Sequence, residues 1–138
     1  LQVYRRGLLG TSQGVASGLE LTHVGEFALF RPNGSPMHLA RVQGGAFSPA
    51  GHLYLTSDVD GRGVVAIDMV CGRMVFAHAK ADLPAGAEME GVTVWDLDDD
   101  RAPSITGQVH VVWLDDDVSA DDLYLSHFRV PSDQRRRV

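Results

Sequence analysis

The residues best suited to chemistry in this chain are polar side chains placed just before a glycine at the head of short apolar strands. Gln13-Gly14, Gln43-Gly44 and Glu90-Gly91 repeat that arrangement, with Glu88 two residues ahead of the last. Asp58, Asp60, Asp115, Asp116 and Asp117 follow or end neighbouring apolar runs. If the loops entering each first strand and those joining each second strand to the third share one end of the fold, these residues form an acidic rim. Carboxylate and carbonyl oxygens converging there are the donors a hard cation such as calcium takes. On that reading Gln13, Gln43, Glu88, Glu90 and Asp58 are the ligand-binding set. Glu90 and Asp58 are the candidate metal ligands, and Glu90 and His110 the candidate catalytic groups. The competing reading is structural: acids at strand ends keep loops solvated, and glycine allows close packing.

Other groups point to chemistry less clearly. Asp96, Asp98 and Asp100 have EF-hand-like offsets, but Arg101 stands where such a loop needs glycine and Gly107 where it needs a bidentate glutamate, which favours an ordinary hairpin loop. Of the histidines His23, His38, His52, His78, His110 and His127, no two lie within four residues, so there is no local zinc motif. His110 alternates with Val109 and Val111, which favours a structural imidazole over a channel-facing base; His127 follows the same logic. Cys71 is the sole cysteine, which rules out an intrachain disulfide, and its turn context reads as a half-buried structural thiol. Trp95 and Trp113 fall in successive strands and read as filler between sheets, with sugar stacking the alternative for whichever is exposed.

The elements that must position these groups are strands. Period-2 alternation or β-branched and aromatic enrichment marks residues 1–5, 14–17, 19–24, 26–31, 37–42, 45–48, 52–57, 64–70, 73–79, 91–97, 108–114 and 122–130. Turn residues bound them, most clearly in "RPNGSP" at 31–36 and "DVDGRG" at 58–63. No apolar 3.6-residue period is sustained long enough for a helix, and Pro84 and Gly86 restrict the one candidate turn. The fold class is all-β.

The strands recur in order. "SQGVAS" and the three strands after it parallel "VQGGAFS" and its three followers, and "MEGVTVWDL" opens a third copy that stops one strand short. The copies begin at offsets of 30 and 47 residues, near the length of a four-stranded propeller blade. The domain reading is therefore blades over 1–130, with repeats near 13–42, 43–89 and 90–130. Residues 1–6 are expected as the outer strand that closes the last blade, and 131–138 as a disordered basic tail. Three blades are fewer than the usual ring of about four or more. Either the other blades lie upstream, which a chain starting at Leu1 favours, or two copies pair head to tail as six blades.

Bulk composition narrows the function classes. Hydrophobic residues make up 44% and charged residues 22%, as in a globular domain, and the net charge of −6 argues against a nucleic-acid surface. No apolar run reaches the length of a membrane span, and no signal peptide is visible. The Arg135–Arg137 run reads as part of the solvated tail.

The segments "QGGAFSPAGHLYLTSD", "EMEGVTVWDLDDD" and "GQVHVVWLDDD" together resemble the C-terminal blades of six-bladed bacterial, often secreted, propellers of the phytase-like and gluconolactonase-like kind. The likeness covers roughly residues 42–130. It implies an extracellular or periplasmic setting and a central channel lined by inner-strand polar residues, sometimes around calcium. Gln13, Gln43 and Glu90 would map to its mouth, where two glutamines depart from an all-carboxylate site. The expected function is a binding or interaction module with an acidic, polar face around the channel, taking a small molecule or protein and partnered by further blades. The alternative is a calcium-assisted hydrolase of the phytase-like or lactonase-like sort.

Overall fold

The structure, a computed structural model, describes residues 2–8, 19–58, 63–79, 86–98, 101–116 and 121–130. The protein is all-β, built of antiparallel sheets, and among the described residues no helix is long and apolar enough to cross a membrane. β1 (Gln2–Leu8) and β2 (Leu19–Glu26) pair in a two-stranded sheet. β3 (Val42–Phe47), β4 (His52–Ser57), β5 (Gly63–Asp68) and β6 (Arg73–His78) form a four-stranded meander. β7 (Ala87–Val94), β8 (Val109–Asp116) and β9 (Asp121–Phe128) form a three-stranded one.

The middle sheet is the centre of the packing. All six residues of β4 are buried, because alternate side chains enter two different cores. Tyr54, Val64 and Ala66 face the last sheet, where they meet Met89, Val109, Val111 and Trp113. Leu53, Leu55, Val65 and Ile67 face the opposite way and are covered by Met37, with Phe27, Leu29 and Leu39 packed beside it.

That cover explains where the structure departs from the expected first repeat. Residues 27–41 contain no extended strand and join the sheets only through isolated bridges from Phe30 to Pro36 and to Arg73. Their apolar side chains bury against the middle sheet instead of pairing as strands. Pro32 and Pro36 lack amide donors, and Arg41 sits at a left-handed φ of 46°, which breaks the run into β3. The Phe30 amide donates to the Gly72 carbonyl at 2.9 Å, and the Met74 amide to the Phe30 carbonyl at 2.8 Å. This close approach requires glycine at 72: its φ is +68°, and a Cβ there would stand 2.3 Å from the Ala28 carbonyl oxygen.

The N-terminal strand also differs from its expected place. The sequence sets residues 1–6 on the outer edge of the last sheet, whereas Gln2–Leu8 pair with Leu19–Glu26, with Gln2 opposite Glu26 and Leu8 opposite Leu19. A hairpin partner close in sequence closes a much shorter loop than the far end of the chain would. The expected strand at 14–17 and the tail at 131–138 lie outside the described residues.

Candidate functional site

The two larger sheets share one local device. In β3 the register skips Gln43 between Val42↔Ser57 and Gly44↔Thr56. In β7 it skips Glu90 between Met89↔Trp113 and Gly91↔Val112. Each polar residue before glycine is thus the extra residue of a β-bulge, and bulges re-aim a strand where it ends or meets a neighbour. At that point β3 and β7 come together backbone to backbone. A Cβ on Gly44 would lie 2.8 Å from the Gly91 Cα and 3.0 Å from the Val92 nitrogen. Glycine is needed at position 44 for this contact, whereas a Cβ on Gly91 would meet nothing within 4 Å.

Several of the nominated residues do share one end of these sheets. The Gln43 side-chain amide donates to Asp58 Oδ2 at 3.2 Å, and the Met89 backbone N–H donates to Asp58 Oδ1 at 2.7 Å. Asp58 therefore ties the middle sheet to the last. Glu88 is exposed and Glu90 half-buried beside that tie, and Asp115 stands opposite Ala87 at the same end. Gln13, Asp60 and Asp117 lie outside the described residues. Each Asp58 oxygen accepts a hydrogen bond, and among the described residues no three His, Cys, Asp or Glu side chains stand together as a metal site.

At the opposite end of β3 and β7 the sheets part around a pocket of about 360 Å³. The middle sheet contributes Tyr54 and the Ser48–Ala50 turn; the last sheet contributes Val94, Trp95, Asp96 and Arg101, with Gln108 and Val130 at the back. Trp95 is 53% exposed, whereas Trp113 is buried, stacked on Tyr124 at 4.5 Å, and donates through its indole N–H to Ser126 Oγ at 2.8 Å. Only one of the two tryptophans is the expected filler. The Arg101 guanidinium lies 6.0 Å from the Trp95 ring centre. Burial pushes the Tyr54 phenol above its ordinary range, so it remains a protonated donor at neutral pH.

The pocket wall is held by a hydrogen-bond knot. Gln108 Nε2 donates to Asp96 Oδ1 at 2.8 Å and to Asp98 Oδ2 at 2.7 Å, while Gln108 Oε1 accepts from the Val130 N–H at 3.1 Å. Asp98 Oδ1 accepts from the Gly107 N–H at 2.9 Å, closing the hairpin loop that its acids only superficially likened to a calcium loop. The Trp95 N–H donates to the Gln108 carbonyl at 3.0 Å.

His110, a candidate catalytic group, belongs to this framework. Its Nε2 is 2.8 Å from the Trp95 carbonyl and its Nδ1 is 2.8 Å from His127 Nδ1. A carbonyl only accepts, so Nε2 carries the proton, and in the neutral pair His127 Nδ1 donates to His110 Nδ1. The ring thus positions the backbone of Trp95. Cys71, expected half-buried, is exposed in the β5–β6 turn. Sequence reasoning missed Trp95, Asp96 and Arg101 as a group. The available signal was a tryptophan at the end of a strand that opens into a long, acid-rich loop.

Comparison with family models, with curated proteins and with solved structures finds no match to this chain.

Proposed function

We propose that the chain is a binding module of the β-propeller kind, in which the middle and last sheets stand side by side as blades and a saccharide is held in the pocket between them. The shared bulge at Gln43 and Glu90, the four-stranded meander, and the contact of β3 with β7 at Gly44 and Gly91 support the blade reading. In it β3 and β7 are inner strands, further blades complete the ring, and the Gln43–Asp58–Glu88 end is the acidic mouth of the channel.

The observation that carries the ligand is the half-exposed Trp95 ring, fixed in place as one wall of a pocket that also offers Asp96, Arg101 and the Tyr54 hydroxyl. A sugar ring stacks its C–H face on indole and places its hydroxyls against carboxylate acceptors and guanidinium donors. The test is tryptophan emission during titration with hexoses, pentoses and uronic acids, free and as oligomers. Buried Trp113 provides a constant background. A saturable change with at least one of them, lost in Trp95→Ala with the far-UV spectrum intact, is the expected result. A panel with no response rules the saccharide out.

A further inference from the structure

β9 is an eight-residue strand that pairs only with β8 among the described residues, whereas its counterpart in the middle sheet, β5, is covered on its outer side by β6. It carries no proline, glycine or lysine to protect that edge, and Leu123 and Leu125 are 68% and 52% exposed. Its charged residues Asp121 and Asp122 stand at its start, and the edge beyond them, with its exposed leucines, is a template for another strand.

We propose that the strand added there is β9 of a second copy of this chain, antiparallel and related by a two-fold axis through Tyr124. The segment D-D-L-Y-L-S-H-F is complementary to itself in that register. A two-fold axis perpendicular to a sheet sets each residue opposite one whose number gives the same sum, and opposite residues share a face. Leu123 of one copy meets Leu125 of the other, twice over. Asp122 falls across from Ser126 of the second copy, next to its His127. The Ser126 hydroxyl accepts from Trp113, so its own proton is free to be donated to that carboxylate. The acidic start of each strand therefore lies at the histidine end of its partner, whereas a parallel, in-register pairing would set acid over acid. The leucines share a face with Val112 and Leu114, so pairing continues one apolar stripe across four strands, β8 and β9 of each copy. The contact is remote from the β3–β7 line and does not depend on what the Trp95 pocket binds.

Light scattering and sedimentation over a dilution series of the chain test this directly. The expected mass is twice 14.9 kDa, falling to 14.9 kDa in Leu125→Lys with the circular dichroism spectrum retained. In a Cys71→Ser background, which removes the exposed native thiol, Tyr124→Cys should form a disulfide-linked dimer on mild oxidation because the axis sets the two sites face to face. Ser126→Cys in the same background should not. A monomer at every concentration overturns the proposal. So does a dimer indifferent to Leu125→Lys, or one that cross-links equally through position 126.

Discussion

The middle and last sheets share a hairpin plan but differ in what they bury. Aligning them on their bulges sets Tyr54 against His110, Ala66 against His127, Val64 against Leu125 and His52 against Gln108. In the middle sheet Tyr54, Val64 and Ala66 are 3%, 1% and 1% exposed, pressed onto the neighbouring sheet. In the last sheet the same face carries a histidine pair and two leucines, and Leu125 is 52% exposed. The geometry of a strand pair therefore does not determine its chemistry; the neighbour does. A residue such as Ala66 serves where another sheet presses close, and an imidazole serves at position 110, where a loop carbonyl needs a donor.

The largest expected contrast lies at the first aligned pair of β4 and β8. Gln108 is buried, and its amide bonds two carboxylates and a backbone N–H, so Gln108→Leu should lower stability by about 3 kcal/mol through the loss of these three bonds, two of them to charged groups. His52 is equally buried, but its Nδ1 has no hydrogen-bond partner. His52→Leu should be neutral or stabilising, within about 1 kcal/mol. Urea unfolding of both variants decides the matter. Equal losses would mean that the knot around Gln108 contributes nothing beyond packing.

Next in size is the asymmetry of the two glycines where the sheets meet. Gly44→Ala drives a Cβ into the backbone of Gly91 and should cost about 2.5 kcal/mol, since neither strand can yield without parting the sheets. Gly91→Ala meets nothing within 4 Å and should change stability by no more than about 0.5 kcal/mol. The paired melting curves test whether β3 and β7 touch as described. Below that comes Val64→Ala, expected at about 2 kcal/mol from two buried methyl groups and the cavity they leave. The aligned Leu125→Ala should lie within about 0.5 kcal/mol when measured on the monomer.

The same contrast explains what was legible in the sequence. β4, β5 and β6 were readable because β-branched and aromatic residues lie between clear turns, and the bulge residues Gln43 and Glu90 were visible as a recurring polar–glycine step. The stretches 26–31 and 37–42 carry the same apolar alternation, yet apart from the paired Glu26 and Val42 at their ends they form no extended strand and cover a sheet face. Alternation records which side chains are buried and not whether the backbone finds a strand partner. Trp95 reads as filler for a related reason: it follows directly on the apolar Val92 and Val94, and only the parting of the two sheets beyond β7 leaves it exposed. The bond of His110 to the Trp95 carbonyl depends on where that loop returns, which no local pattern encodes. The tie from Asp58 to the Met89 N–H joins residues distant in sequence, so no local pattern around Asp58 encodes it.

The smallest expected effect separates the two equivalent turns by pH. The β3–β4 turn closes through backbone bonds and the Ser48 hydroxyl, none of which titrates near neutrality or in mild acid. The β7–β8 loop closes on Asp98, whose carboxyl is held below its ordinary range by the Gly107 N–H first and the Gln108 amide second, against an opposing pull from desolvation, with a smaller lowering from Arg129. A carboxyl with a lower pKa folded than unfolded contributes stability above its unfolded value of about 3.9, and that contribution is lost as pH falls through the depressed value. Acid titration should therefore shift the Gly107 amide resonance and the Trp95 emission below about pH 4, while the Gly51 amide holds its position. Asp98→Asn should remove the pH dependence at Gly107. Because Asp98 and Arg129 are solvent-accessible, salt should weaken the Arg129 part of the effect and leave the Gly107 bond in place. A Gly51 shift that tracked Gly107 would show instead that the two sheets loosen together, and the contrast between them would fail at its weakest point.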